Sequence, residues 1–177
     1  GPETLAHSEA TSLRLTRHQA RALALRVHAV IEEFDDDPAA GAPASGVAGL
    51  RFEDEAATAN ALIPQLKAQG ADVIVVDIHE GGGTTAGVQE TSCAGLSGDI
   101  VPILERLDPA VDVVVSGHTH QAYVCDYSRV NPAKPFLLTS AGQYGTLLTD
   151  IQLRVDTQTR RVVRKTARNV VVQGEAF

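Results

Sequence analysis

The chain has no apolar run approaching the roughly 18 residues that a membrane-spanning helix needs, so no segment reads as a transmembrane helix. It also lacks a dense block of lysine and arginine: 22 residues are acidic against 15 basic, a formal net charge of -7 at pH 7. Nucleic acid and anionic membranes both call for clustered positive charge. Neither is therefore an expected partner, and an anionic substrate has to be held by metal ions rather than by a general field. No basic-then-apolar order marks a secretory signal, and the expectation is that any export signal of the parent lies outside this sequence. Two cysteines are too few for a zinc knuckle, and by themselves they leave free thiols and one disulfide both open. There is no internal repeat. What is present, 177 residues with 44% hydrophobic content, suffices for one domain with a real core.

Two β-rich runs each end on histidine. Val111-Asp112-Val113-Val114-Val115 leads into Ser116-Gly117-His118-Thr119-His120, and Ala71-Asp72-Val73-Ile74-Val75-Val76-Asp77-Ile78 leads into His79-Glu80-Gly81-Gly82-Gly83. A buried strand that stops at a glycine and then shows histidines at i and i+2 is expected to put both rings on one side of an extended backbone. Three of the six histidines reach such strand ends, and neutral imidazole is the commonest protein ligand for transition metals. His79, His118 and His120 are the candidate metal ligands, while His7, His18 and His28 read as solvated or packing residues.

Elsewhere the pattern is one of alternating helices and strands. Thr16 with Gln19 reads as a capping box, and Leu23, Val27, Val30, Ile31 and Phe34 recur at helical spacing, predicting an amphipathic helix over residues 16 to 34. Gly1-Pro2 reads as a tag-removal scar and is excluded. The Ala, Gly and Pro of residues 38 to 45 read as a linker, dividing an N-terminal helical segment, 1–43, from a main unit, 44–177. In that unit Asp54 is a plausible N-cap for a helix that Pro64 should kink or break. A second helix is expected over 97–107, and short strands over 122–125, 136–140, 146–154 and 161–165. Strand, helix, strand in this order marks an α/β layer arrangement.

The segments Ile78-His79-Glu80-Gly81-Gly82, Cys93-Ala94-Gly95-Leu96-Ser97-Gly98, Gly117-His118-Thr119-His120 and Gly142-Gln143-Tyr144-Gly145 carry a family resemblance. In this order and spacing, the chain over roughly residues 44 to 177 resembles the second half of a calcineurin-like metallophosphoesterase domain, in the secreted bacterial 5'-nucleotidase branch. The resemblance implies a partial layered α/β sandwich with a mixed sheet. It implies hydrolysis of a nucleoside monophosphate, a nucleotide sugar or another small phosphoester by a metal-activated hydroxide. It also implies two divalent transition metals (Mn, Zn, Fe or Co), with His79 and His118 sharing one and His120 facing the other. Gln143 and Tyr144 would lie at the substrate rim. Kinship with exported enzymes favours a Cys93–Cys125 disulfide, worth roughly 3 to 4 kcal/mol by loop-closure entropy, and a periplasmic or extracellular parent.

The same pattern requires an Asp-x-His on the first strand, a Gly-Asp whose carboxylate bridges the metals, and an Asn-His-Glu-type turn. This chain holds none of them in the place that the pattern requires. Ser97-Gly98-Asp99 offers a Gly-Asp, but after His79 rather than before it, where it opens a helix. Three neutral imidazoles without a bridging carboxylate do not assemble a charged dinuclear pair, so the isolated chain is expected to be inactive or nearly so. The missing ligands would have to come from another chain or another part of a larger parent. The alternative expectation is a noncatalytic module that self-associates, or pairs with a partner, through the helix of residues 16 to 34.

Overall fold

The structure, a computed structural model, describes residues 11–15, 22–26, 31–33 and 50–173, with backbone alone for the first three segments and for residues 50 and 51. In chain order the elements are β1 (Thr11–Leu15), β2 (Ala22–Arg26), β3 (Ile31–Glu33), β4 (Leu50–Phe52), α1 (Glu55–Ala68), β5 (Val73–Asp77), α2 (Ile100–Arg106), β6 (Val113–Val115), β7 (Ala122–Asp126), β8 (Leu137–Ala141), β9 (Leu147–Asp156) and β10 (Arg161–Val171). A five-stranded sheet runs β2-β5-β6-β8-β7, with β7 antiparallel to β8 and the other pairings parallel. A three-stranded sheet runs β1-β9-β10, and β3 pairs with β4.

The valine-rich strands are buried on both faces, as parallel strands are when both sides are covered. Because side chains alternate along a strand, Ile74, Val76 and Val114 pack with Ala56, Ala59 and Ile63 of α1 and Ile100, Ile103 and Leu104 of α2. Val73, Val75, Val113 and Val115 face the other way, onto Ile151 and Leu153 of the three-stranded sheet. The result is the expected α/β arrangement with a mixed sheet: helices, large sheet, small sheet.

Both helices of the main unit form close to where expected. Asp54 caps α1, its Oδ1 accepting from the Ala57 amide at 2.8 Å. Pro64 neither kinks α1 into two helices nor ends it, since Glu55–Ala68 is one element. The ring is exposed, on the water side, where losing one backbone hydrogen bond costs least.

The helix expected over residues 16 to 34 is corrected. Residues 22–26 are the strand β2, in parallel register with β5 from Ala22↔Val73 to Arg26↔Asp77, and 31–33 are β3, antiparallel to β4. The physical reason is tertiary. Ala22-Leu23-Ala24-Leu25 alternates as well as it spirals, and the otherwise open edge of β5 offers a row of hydrogen bonds that local propensity does not outweigh. Association through such a helix loses its basis. The proposed capping box, His7, His18, His28 and the linker lie outside the described residues. Strands β1 and β2, ahead of the expected boundary at 43/44, are hydrogen-bonded to strands behind it.

Candidate functional site

Ligands of open α/β sheets bind at the carboxyl ends of the strands, and there this chain places its histidines. β5 and β6 are adjacent and parallel, with Asp77 opposite Val115, so both strands stop at one level. The ladder continues past them: the Ile78 amide donates to Val115 O at 2.9 Å and the Gly117 amide to Glu80 O at 3.1 Å. That continuation brings together two rings 39 residues apart in sequence, His118 Nδ1 and His79 Nε2 lying 3.4 Å from each other. Their planes meet edge to face, with centroids 5.2 Å apart.

Glycine makes this approach possible. A Cβ on Gly81 would stand 1.9 Å from Gly117 O, and one on Gly82 would stand 2.1 Å from Ser97 O. No side chain fits at such distances, so the His79 segment lies against the His118 turn only because Gly81 is bare, and against the Ser97 segment only because Gly82 is. Thr119 fastens the contact, its hydroxyl donating to Gly82 O at 2.6 Å. Below the turn, buried Ser116 donates its hydroxyl to Thr139 O at 2.9 Å and shares a 2.6 Å hydrogen bond with the Tyr123 hydroxyl. Gln121 contributes its backbone, accepting from Ser140 Oγ at 2.6 Å.

The backbone after β6 departs from expectation. It is not extended, and its left-handed residues are the histidines themselves: φ is +64° at His118 and +58° at His120, while Gly117 keeps an ordinary φ. For a residue with a Cβ this costs about 1–2 kcal/mol, and such strain persists where the surroundings impose it, commonly at functional sites. Tyr144, at φ +59° between Gly142 and Gly145, repeats the pattern. Its ring centroid is 6.3 Å from that of His120, so the Gly142–Gly145 loop reaches the histidine turn. Tyr144 is 73% exposed and Gln143 half-buried.

The structure therefore joins His79 to His118 and sets His120 beside Tyr144. Among the described residues no group of three His, Cys, Asp or Glu side chains is arranged to hold an ion. The pair nonetheless suits two corners of one coordination shell. With metal–nitrogen bonds of about 2.0–2.1 Å, two ligands at right to tetrahedral angles have nitrogens roughly 3 Å apart, near the 3.4 Å seen. All three histidines are exposed. Neither the left-handed histidines nor the bare-backbone contact was legible beforehand; the glycine run after His79 was the available signal.

Cys93 and Cys125 form a disulfide, with their Cα atoms 5.0 Å apart. It pins the loop between β5 and α2 onto β7, beside the Asp126 amide that donates to Thr91 O at 3.1 Å. The same loop returns to the site through the paired amides of Gly83 and Ser97, each donating to the other's carbonyl at 3.0 Å. The bond thus steadies the segment against which the histidines are set.

The fold is shared with part of a solved structure assigned as a 5'-nucleotidase, as the sequence resemblance implied. Among solved structures, a Staphylococcus aureus protein assigned as a 5'-nucleotidase, in complex with alpha-ketoglutarate, superposes with a TM-score of 0.51 at 19% identity, covering 73% of this chain and 24% of that one. A 5'-nucleotidase precursor from Thermus thermophilus gives a TM-score of 0.48 at 17% identity, covering 70% of this chain and 24% of that one. Among curated proteins, Endonuclease YhcR of Bacillus subtilis (strain 168) is 26% identical over 127 residues, which is 72% of this chain and 9% of that protein. No protein-family model matches. The chain thus spans about a quarter of the length of the solved structures and a small part of the endonuclease. Among the described residues no helix is long and apolar enough to cross a membrane.

Proposed function

We propose that this chain supplies part of the dinuclear site of a metal-dependent phosphoester hydrolase of the 5'-nucleotidase type, acting on a nucleoside monophosphate, a nucleotide sugar or another small phosphoester. The observation that carries the reading is the contact between His79 and His118 at the carboxyl end of the sheet. In this reading both histidines bind one transition ion through their facing nitrogens, and His120 serves the neighbouring ion. When bound, such a pair of ions supplies a hydroxide nucleophile at neutral pH and offsets charge on the phosphoryl oxygens. The chain's own residues hold and orient: Gly81, Gly82 and Thr119 fix the distance between the two histidine segments, and Gln143 and Tyr144 line the rim where substrate enters.

The sequence has no Asn-His-Glu, and its one Asp-x-His, Asp77-Ile78-His79, and one Gly-Asp, Gly98-Asp99, do not stand where the family pattern puts its first-strand and metal-bridging elements; in this reading the remaining ligands come from elsewhere in a larger parent or from another chain. A periplasmic or extracellular setting agrees with the disulfide. The net charge of -7 argues against nucleic acid as a partner.

Two measurements on the purified chain test this reading. Equilibrium dialysis with Mn or Zn should find an ion whose retention drops at least tenfold in His118→Ala, and no retention by the unaltered chain would sink the metal assignment. Phosphate release from AMP in excess Mn should be near background, whereas turnover near the common enzyme value of about 10 per second would show the site to be complete without further ligands.

A further inference from the structure

The amino end of the parallel sheet carries a second charged cluster, which the phosphoester reading does not use. A cavity of about 610 Å³ opens there, lined by Lys67, Asp72, Asp112, Arg160, Arg161 and Lys165 among others. Both carboxylates are nearly buried and each is committed to a cation: Arg160 Nε stands 2.6 Å from Asp72 Oδ1, and Lys165 Nζ 3.0 Å from Asp112 Oδ1. Asp112 also accepts from the Ile74 amide at 3.0 Å, and Lys165 donates to Pro135 O at 2.6 Å. Two cations are left over. Lys67 reaches only a backbone carbonyl, Asp72 O, at 3.3 Å, and among the described residues the Arg161 guanidinium has no hydrogen bond or ion pair. A chain of net charge -7 thus gathers an excess of two positive charges around one concavity.

We infer that this cavity is an anion seat for a phosphate-bearing small molecule, held between the Lys67 ammonium and the Arg161 guanidinium. An ammonium and a planar guanidinium fork together match a dianionic phosphate by charge and donor geometry. The volume exceeds what the bare ion needs and falls in the range of small-molecule pockets, about 300–1,000 Å³, so the seat has room for the body of the ligand. It is separate from the histidine site. Asp72 and His79 lie at opposite ends of β5, whose five residues span about 16 Å at roughly 3.3 Å per residue, and Asp112 and His118 lie on opposite sides of β6.

The test is titration of the metal-free chain, in EDTA and at ionic strength matched with chloride, with inorganic phosphate and with a sugar phosphate, read by calorimetry and by the amide resonances of residues 159–161. The expected result is saturable binding, tighter for the sugar phosphate, weakened at least tenfold in Lys67→Gln/Arg161→Gln, kept within about threefold in Lys67→Arg/Arg161→Lys, and unchanged in His118→Ala. Tighter binding of inorganic phosphate would still support the seat and name the free ion as its ligand. A response that tracks ionic strength without saturating, that survives Lys67→Gln/Arg161→Gln, or that vanishes in His118→Ala would overturn the assignment. The resonance shifts are read on the unaltered chain, so the inference stands or falls even if the double variant fails to fold.

Discussion

The two ends of the parallel sheet are built on opposite plans. At the carboxyl end the backbone is strained and the donors are exposed: two left-handed histidines, a third from the adjacent strand, and glycines pressed against carbonyl oxygens. At the amino end the carboxylates are nearly buried and each is matched to a cation. One end carries backbone strain on residues with a Cβ, and the other settles its own charges before presenting a surplus. Strain of this kind persists where the surroundings impose it, and in the proposed reading it falls on the residues that would hold the ion. Paired, nearly buried charge reads instead as a device that locks the small sheet to the large one.

The largest expected effect comes from filling the glycine contact. Gly82→Ala places a methyl on Ser97 O, beyond what relaxation absorbs, and should cost about 3 kcal/mol or more in urea unfolding, at the upper end for overpacking. A loss under about 1 kcal/mol would mean that the segments are not held together as described. Next, Lys165→Ala should cost about 3 kcal/mol, because the Asp112 carboxylate is left nearly buried without its cation. Lys165→Met/Asp112→Asn, which removes both charges, should lie within about 1 kcal/mol of the unaltered chain; an equally unstable double variant would place the cost in packing rather than charge.

Smaller and opposite in sign, His118→Gly should raise stability by about 0.5–1 kcal/mol: relief of the left-handed penalty of about 1–2 kcal/mol less the extra unfolded-state freedom of glycine. Ion retention should fall in the same variant. Greater stability with weaker binding is the signature of strain kept for a ligand, and lower stability would remove the contrast between the two ends.

The smallest effect is acid sensitivity at two exposed turns. Asp54 is held below the ordinary aspartate range by the Arg106 guanidinium and then the Ala57 amide, and Asp156 by the Thr159 and Gln158 amides. Folded-state values below the unfolded one mean that this stabilisation is complete above the ordinary aspartate value of 3.8 and is lost as pH falls through the lower folded values. Urea midpoints taken between pH 5 and pH 2 should fall less steeply in Asp54→Asn/Asp156→Asn; an unchanged slope would place the acid sensitivity elsewhere.

Much of this was readable from residue order. Valine runs bounded by glycine and aspartate, the Asp54 cap and the hairpin after Asp156 are local patterns with periods of 2 or 3.6, and they appear where expected. Residues 22–26 were not readable, because an alternating stretch that also satisfies helical spacing is decided by whichever neighbour offers hydrogen bonds, and β5 did.

The amino-acid sequence by itself determined the α/β alternation, the three histidines at strand ends and the resemblance that names a class of chemistry. Only the tertiary structure decided that His79 meets His118, that the strain sits on the histidines rather than on Gly117, and that Lys67 and Arg161 face one cavity. The physical reason is range. Periodicity and turn chemistry act over a few residues, whereas the approach of segments tens of residues apart depends on strand register and on which backbone atoms leave room.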